Sequence, residues 1–278
     1  MIWASRNFSS RRLNRTMRIS EMLKELNQLI EKGDSAALAT IIAGEGSTPR
    51  KIGAKMLIRP DGSTMGTIGG GIVEAQVIKR AVTSIKNRCL EVASYNLRAI
   101  NDPDTDMRCG GSMTVMIEPV IPPDPVFIFG GGYVGFAIYN ILSTLDFNIT
   151  IVDDRKLYAA PKRFPLAKKV LCAPFDKAFE KIAINEQSYI IICTRAHKND
   201  EDCLRQAFKT PACYIGMLGS RTKVAAFKKI LQEDGVPKRR INQLHSPIGL
   251  SIGAVTPEEI AVSVAAELIQ FRANRSHA

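Results

Sequence analysis

Apolar positions follow two regimes along this chain. Before residue 120 the period changes from one segment to the next. Ile19, Met22, Leu23, Leu26, Leu29 and Ile30 recur every three or four residues and make one helical face, with Ser20 placed to cap it and Gly33 to end it. Residues 36–43 form an apolar run of strand length. Residues 54–59 and 64–68 flank Asp61-Gly62, a hairpin signal, and so predict an antiparallel pair. A helix is expected over 72–85 and strands over 90–97 and 112–118, with a polar loop at 98–111. Hairpins mixed with helices predict an α+β fold for this half.

Pro119, Pro122, Pro123 and Pro125 then mark a linker. Beyond it strands and helices alternate. Strands are expected at 126–129, 148–152, 169–172, 188–194 and 212–217, and helices at 133–145, 175–185, 201–208 and 222–233. A last helix is expected over 257–273, with Thr256 as its cap and Pro257 at its first position. Such alternation predicts a doubly wound parallel sheet. The expected organisation is α/β overall: a basic, disordered extension at 1–17, an α+β domain at 18–120 and a Rossmann-like domain at 126–278.

Charge changes the picture only at the N-terminus. The net charge is +11, yet Arg6, Arg11, Arg12, Arg15 and Arg18 all precede the first acid, Glu21. That segment has no apolar core and does not read as a secretory signal. A transit peptide, a disordered tail or a start at Met17 all suit it. The remaining charge suits an anionic small ligand or an acidic partner surface, and no nucleic-acid motif accompanies it. No apolar run approaches the length that crosses a bilayer. Six cysteines without a CxxC pair suit a reducing cytosol, and no metal-finger spacing is present.

Chemistry concentrates at two glycine triplets. Gly130-x-Gly132-x-x-Gly135 follows a strand and opens a helix, and Asp153 ends the next strand. This is the dinucleotide fingerprint: a tight turn, close approach to a pyrophosphate and a carboxylate for a ribose hydroxyl. NAD(P) is the cofactor it suggests; the alternative is a crevice holding something else. Gly69, Gly70 and Gly71 open an earlier helix, with Glu74 one turn in. Helix mouths offer unpaired N–H groups and positive dipole ends, so both triplets are expected to cradle an anion. Ser47, Thr48 and Arg50 are candidates to join the first cradle; a solvated structural loop is the alternative.

Three loops are expected at the carboxyl ends of the second sheet. They carry Arg195 and His197, then Gly219, Ser220 and Arg221, then His245 and Ser246. These residues could bind phosphate, pair with a carboxylate or pass a proton. Cys109, between Arg108 and Gly110, could hold a persulfide, meet a soft metal or act as a nucleophile, or be an exposed thiol without a role.

Taken together, these strings resemble the XdhC/CoxI family. Gly46-Ser47-Thr48-Pro49-Arg50, Gly53-Ala54-Lys55-Met56, Gly66 through Glu74 and Cys109-Gly110-Gly111 are similar to its N-terminal region. The glycine fingerprint, Asp153-Asp154-Arg155, Thr194-Arg195-x-His197, Leu218-Gly219-Ser220-Arg221 and His245-Ser246-Pro247 resemble its Rossmann domain. The resemblance covers nearly all of the chain after Met17. It implies a cytoplasmic chaperone that binds molybdenum cofactor (molybdopterin) and holds it while a cysteine desulfurase installs its sulfido ligand. The chaperone would then deliver the cofactor to an apo-molybdenum hydroxylase such as xanthine dehydrogenase. A homodimer without turnover of its own is the leading reading, and the two glycine-opened helices with the Cys109 loop suggest a cofactor cleft between the two halves. The alternative is an NAD(P)-dependent oxidoreductase with His197 or His245 as proton donor.

Overall fold

The computed structural model describes residues 19–97 and 110–276, which divide into two compact units at Pro122/Pro123. Residues 1–17 and Cys109 lie outside the described residues.

The first unit is a five-stranded antiparallel sheet in the order β3-β2-β1-β5-β4. Its strands are β1 (Ala36–Glu45), β2 (Lys55–Ile58), β3 (Thr64–Gly66), β4 (Glu91–Asn96) and β5 (Ser112–Val120). Period-two alternation sorts β1. Ala37, Ala39 and Ile41 face the helix α2 (Gly71–Asn87), where Val73, Val77, Ala81 and Ile85 recur every four residues. Ala36 and Leu38 face the other way, toward Met22 and Leu26 of α1 (Ile19–Lys32). The pairing of β1 with β5 slips between Ile41 and Ala43, a bulge that re-aims the end of β1. The strand expected over 64–68 stops at Gly66, because Thr67 and Ile68 turn to bind Glu74.

The second unit is a six-stranded parallel sheet in the order β11-β10-β9-β6-β7-β8. The strands are β6 (Asp124–Phe129), β7 (Phe147–Asp153), β8 (Lys169–Cys172), β9 (Tyr189–Ile192), β10 (Tyr214–Met217) and β11 (Leu244–His245). Helices cover both faces, so Tyr189-Ile190-Ile191-Ile192 is buried without alternation. α3 (Tyr133–Leu142) and α8 (Pro257–Ser276) pack on one face. α4 (Phe175–Ala178), α5 (His197–Ala207), α6 (Arg221–Glu233) and α7 (Lys238–Ile241) pack on the other. The fold class is as the strand–helix alternation predicts.

Three expectations are corrected. The helix expected over 175–185 is the single turn α4 followed by a 3-10 turn, Phe179–Lys181. There Phe179 stacks on Phe129 at 4.5 Å, and Ile182 and Ile184 pack against the core. α5 begins at His197 rather than 201, which places His197 on a helix and not in a loop. Finally, β11 adds a sixth strand; its two residues are too short for any period to reveal.

Candidate functional site

Strand order reverses between β6 and β9, and ligands of such sheets settle beyond the carboxyl ends of the strands at that point. There the loop 130–132 and the loop after β9 touch. Cys193 Sγ donates to Gly130 O (3.4 Å), and Cys193 N–H donates to Phe129 O (2.9 Å). Gly130 has φ +120°, and a Cβ on it would lie 2.3 Å from Cys193 O. On Gly135 a Cβ would lie 1.8 Å from Gly130 O, and on Gly131 2.2 Å from Tyr158 O. These three glycines are therefore demanded by the protein's own packing. Gly132, the N-cap of α3, is different: a Cβ there meets nothing within 4 Å. It is the position in the fingerprint whose space is open to an incoming group. Burial, with Asp200 and Asp153 nearby, pushes the Cys193 thiol far up, so it is no ready nucleophile.

Asp153 is fully buried at the end of β7 and holds four donors. Oδ2 accepts from Gly131 N–H (2.8 Å) and Arg155 Nη2 (3.0 Å); Oδ1 accepts from Arg155 N–H (3.0 Å) and Arg155 Nε (2.9 Å). A carboxylate has about four lone-pair sites, and here all are taken. Burial alone would raise this carboxyl, but the bonds from Arg155 and Gly131 outweigh it and hold it below the ordinary aspartate value. Where an acceptor for a ribose hydroxyl is expected, the Asp153 carboxylate fastens the glycine loop. Arg163 completes the clasp by donating to Gly131 O (2.7 Å), and Arg155 lies over the Tyr158 ring at 3.6 Å. Arg155 belongs to a string already singled out; Tyr158 and Arg163 carry no sequence signal.

Arg195 lies beside this loop, pairing with Asp154 at 3.3 Å. Thr194 is held by Asp200, a buried residue that sequence reasoning missed, through Oγ1 (2.6 Å) and N–H (3.1 Å). His197, exposed on the first turn of α5, lies tilted against Phe227 with ring centroids 4.6 Å apart. Gly219 and Ser220 lead into α6, which starts at Arg221, and Val224 N–H returns to Ser220 O. His245 does not join this group. It stands level with Gly216 on the edge strand, stacks on Tyr214 at 4.3 Å, and its Nδ1 lies 2.6 Å from Glu267 Oε1 of α8. Ser246 donates to Met217 O (2.9 Å). The two histidines thus serve different neighbours.

In the first unit the expected anion cradle is closed from within. Glu74 Oε2 accepts from Thr67 Oγ1 (2.5 Å), Ile68 N–H (3.1 Å) and Gly70 N–H (3.0 Å), while Gly69 N–H donates to Thr67 Oγ1 (3.1 Å). A carboxylate of the protein occupies the place expected for a ligand's anion, in the manner of a capping box. Glu74 thus bonds within the turn where Gly69, Gly70 and Gly71 are expected to cradle an anion. A Cβ on Gly69 would also strike Pro49, at 2.5 Å, so the loop 46–53 packs on this turn.

The same loop reaches Gly110 and Gly111. A Cβ on Gly111 would lie 2.0 Å from Glu45 O and 2.9 Å from Ser47 O. Around this convergence lies a cavity of about 500 Å³, lined by Glu45, Gly46, Ser94, Tyr95, Asn96, Gly110, Gly111 and Ser112. Ser47, exposed, belongs to that loop, as does exposed Arg50, whose carbonyl accepts from Thr48 Oγ1. Sequence reasoning missed Ser94, Asn96 and Ser112, because hydroxyl and amide side chains on strand ends carry no motif.

Comparison with known proteins follows the same division. The model of the XdhC Rossmann domain matches residues 126–268, and that of the XdhC and CoxI family matches residues 29–96. The uncharacterized protein YqeB of Escherichia coli (strain K12) is 35% identical over 251 residues, 90% of this chain. The matched region is 46% of that protein, so the chain spans about half its length. A protein of Bacillus subtilis (strain 168) described as a probable xanthine dehydrogenase subunit is 25% identical, over 89% of this chain and 96% of its own. A crystal structure described as a xanthine dehydrogenase from Bacillus halodurans superposes with a TM-score of 0.51 at 23% identity, covering 91% of this chain and 96% of that one. At that identity the likeness concerns the fold. With the Rossmann model spanning more than half of the residues and the second model falling on the sheet of the first unit, the chain belongs to the XdhC and CoxI family.

Proposed function

We propose that this protein serves a xanthine dehydrogenase-type molybdenum hydroxylase as an accessory protein. In this reading it binds molybdenum cofactor as cargo, holds it while a cysteine desulfurase supplies sulfur, and passes it to the apo-enzyme. The observation that carries the reading is the cavity beside Gly110 and Gly111. Its volume, about 500 Å³, suits a single fused-ring ligand, since small-molecule sites run to about 300–1,000 Å³. Its lining suits a pterin. The Glu45 carboxylate offers acceptors to an amino-pyrimidine edge, and Ser94, Asn96 and Ser112 offer donors and acceptors to ring heteroatoms. Arg50, exposed in the adjoining loop, is the cation proposed for the phosphate. Membership of the family and the name of the Bacillus subtilis relative support the same reading. The cargo supplies the redox chemistry; the chain's residues bind it and orient it.

The alternative, an NAD(P)-dependent oxidoreductase, draws little support from the second unit. Its ribose acceptor is saturated, and His197 and His245 attend to different elements.

The test is to purify the protein from cells that make the cofactor, release and oxidise any pterin, and read its fluorescence. Wild type is expected to carry pterin. Asn96→Trp, which fills the cavity, should lower it at least about tenfold, and Gly132→Ala should leave it unchanged. Wild type without pterin, Asn96→Trp with as much as wild type, or saturable NADH binding in its place would overturn the reading.

A further inference from the structure

A thiol, a guanidinium and a phenol meet at the amino ends of β9 and β10, the far end of that sheet from the glycine loop. Cys213 immediately precedes β10 and is half-buried. Its Sγ accepts from Arg275 Nη1 of α8 (3.0 Å) and donates to Ser188 O (3.3 Å). Arg275 also donates through Nη2 to Glu186 O (3.2 Å), so its fork spans the sulfur and the turn before β9. Tyr189 opens β9 and is wholly buried, and its hydroxyl has no hydrogen-bond partner among the described residues. Its ring lies 5.8 Å from Phe271, one turn before Arg275 on α8. The hydroxyl is close enough to Cys213 and Arg275 to feel both. Burial first, then Asp124 and Cys213, push the phenol up to about 12 against the opposing pull of Arg275, so it stays a donor.

A buried O–H without an acceptor is costly to keep, and this one stands beside a sulfur. A guanidinium next to a sulfur favours the thiolate, the form that attacks peroxides. The other described cysteines lack this combination. Cys193 and Cys203 are buried, and burial pushes both thiols far up. Cys89 and Cys172 are exposed, but among the described residues their sulfurs face the backbone oxygens of Leu90 and Asp154 instead of a cation.

We propose that Cys213 is a modification site, oxidised by hydroperoxides to a sulfenic acid whose oxygen is held by Tyr189 and Arg275. The thiolate attacks the terminal oxygen of the peroxide, and an S–O bond forms as the O–O bond breaks. Sulfur gives up two electrons and the peroxide takes them. The thiol's proton ends on the departing alkoxide or hydroxide, giving alcohol or water. Once the sulfenic acid loses its own proton to water, its oxygen is the acceptor that the Tyr189 hydroxyl lacks, and the guanidinium balances its charge. A small thiol then expels that oxygen as water and leaves a mixed disulfide, from which a second thiol restores Cys213. Arg275 ties the last turn of α8 to this sulfur, so the oxidation state of Cys213 is felt by that helix. This inference stands apart from the cargo reading and is tested without cofactor.

The test treats the reduced full chain with hydrogen peroxide in the presence of dimedone, which traps sulfenic acids, and reads each cysteine by peptide mass spectrometry. Cys213 should be trapped at least about tenfold faster than Cys89 or Cys172. Tyr189→Phe should lower the sulfenic acid that builds up at Cys213 about fivefold, while the rate at which iodoacetamide alkylates Cys213 stays the same. Arg275→Leu should slow that alkylation as well, because it removes the cation that favours the thiolate. Cys213 trapped no faster than the two exposed cysteines would overturn the inference. So would a yield at Cys213 that Tyr189→Phe leaves unchanged, which would mean that the phenol does not hold the oxygen. Should Arg275→Leu misfold, Tyr189→Phe still decides, since it removes a single oxygen that bonds to nothing described.

Discussion

Single residues decide which parts of the glycine fingerprint belong to the fold and which face outward. Gly135 cannot accept a methyl group, since its Cβ would sit 1.8 Å from Gly130 O, whereas Gly132 can. Gly135→Ala is expected to abolish cooperative unfolding of the second unit or lower its melting temperature by many degrees. Gly132→Ala should cost no more than about 1 kcal/mol, the scale of an altered N-cap. Paired thermal melts check both, and a Gly135→Ala melt matching wild type would contradict the packing described. The glycine spacing and Asp153 were legible in the sequence because they follow backbone demands that recur in every such turn. The partner of Asp153 was not, because whether a carboxylate faces a ligand or a neighbouring arginine depends on how residues 153–155 turn. Glu74 teaches the same lesson, for its position one turn into a helix is legible, but its bonds to Ile68 and Gly70 are not. Glu74→Ala leaves those amides without their acceptor and should destabilise the first unit by about 1.5–3 kcal/mol, read from its denaturation midpoint.

At the level of elements, long periodic segments were read closely and short ones were not. α2, β1 and β7 have a face or a run that their residues spell out. α4 shortens because Phe179 is drawn to Phe129 at the end of the interior strand β6, a tertiary pull that no local pattern contains. The attachment of α8 to the edge strand is also tertiary. Glu267 Oε1 meets His245, and Oε2 accepts from Gly249 N–H. Burial alone would raise this carboxyl, but the bonds from His245 and Gly249 lower it below its ordinary value of 4.5. A carboxylate whose folded-state value is depressed adds stability above its unfolded value and loses it as pH falls through the folded one. The second unit should therefore weaken as pH drops below about 4.5. Glu267→Gln should be less stable than wild type at neutral pH and should lose less on acidification. Melts from neutral pH down to about pH 3 test this; parallel curves for the two proteins would refute it.

For the whole molecule, the described cores fall into separate clusters, two in each unit. Residues 123–276 carry every strand and helix of their sheet, so they are expected to fold when expressed alone, with a single cooperative melt. A molten product would show that the first unit is required. The change of pattern at the prolines made this division legible, since the density of turn-formers and the switch from mixed periods to alternation coincide there. The cavity was less legible, because its walls come from the ends of β1, β4 and β5, which only the antiparallel register brings side by side. The clasp on Gly131 matters at this scale too. Its N–H and its C=O are each held by side chains of the same unit, so the turn above β6 keeps its shape through the protein's own bonds. A molecule arriving there would have no loop to put in order. Its binding heat should change little with temperature, and the amide of Gly131 should resist deuterium equally before and after it docks.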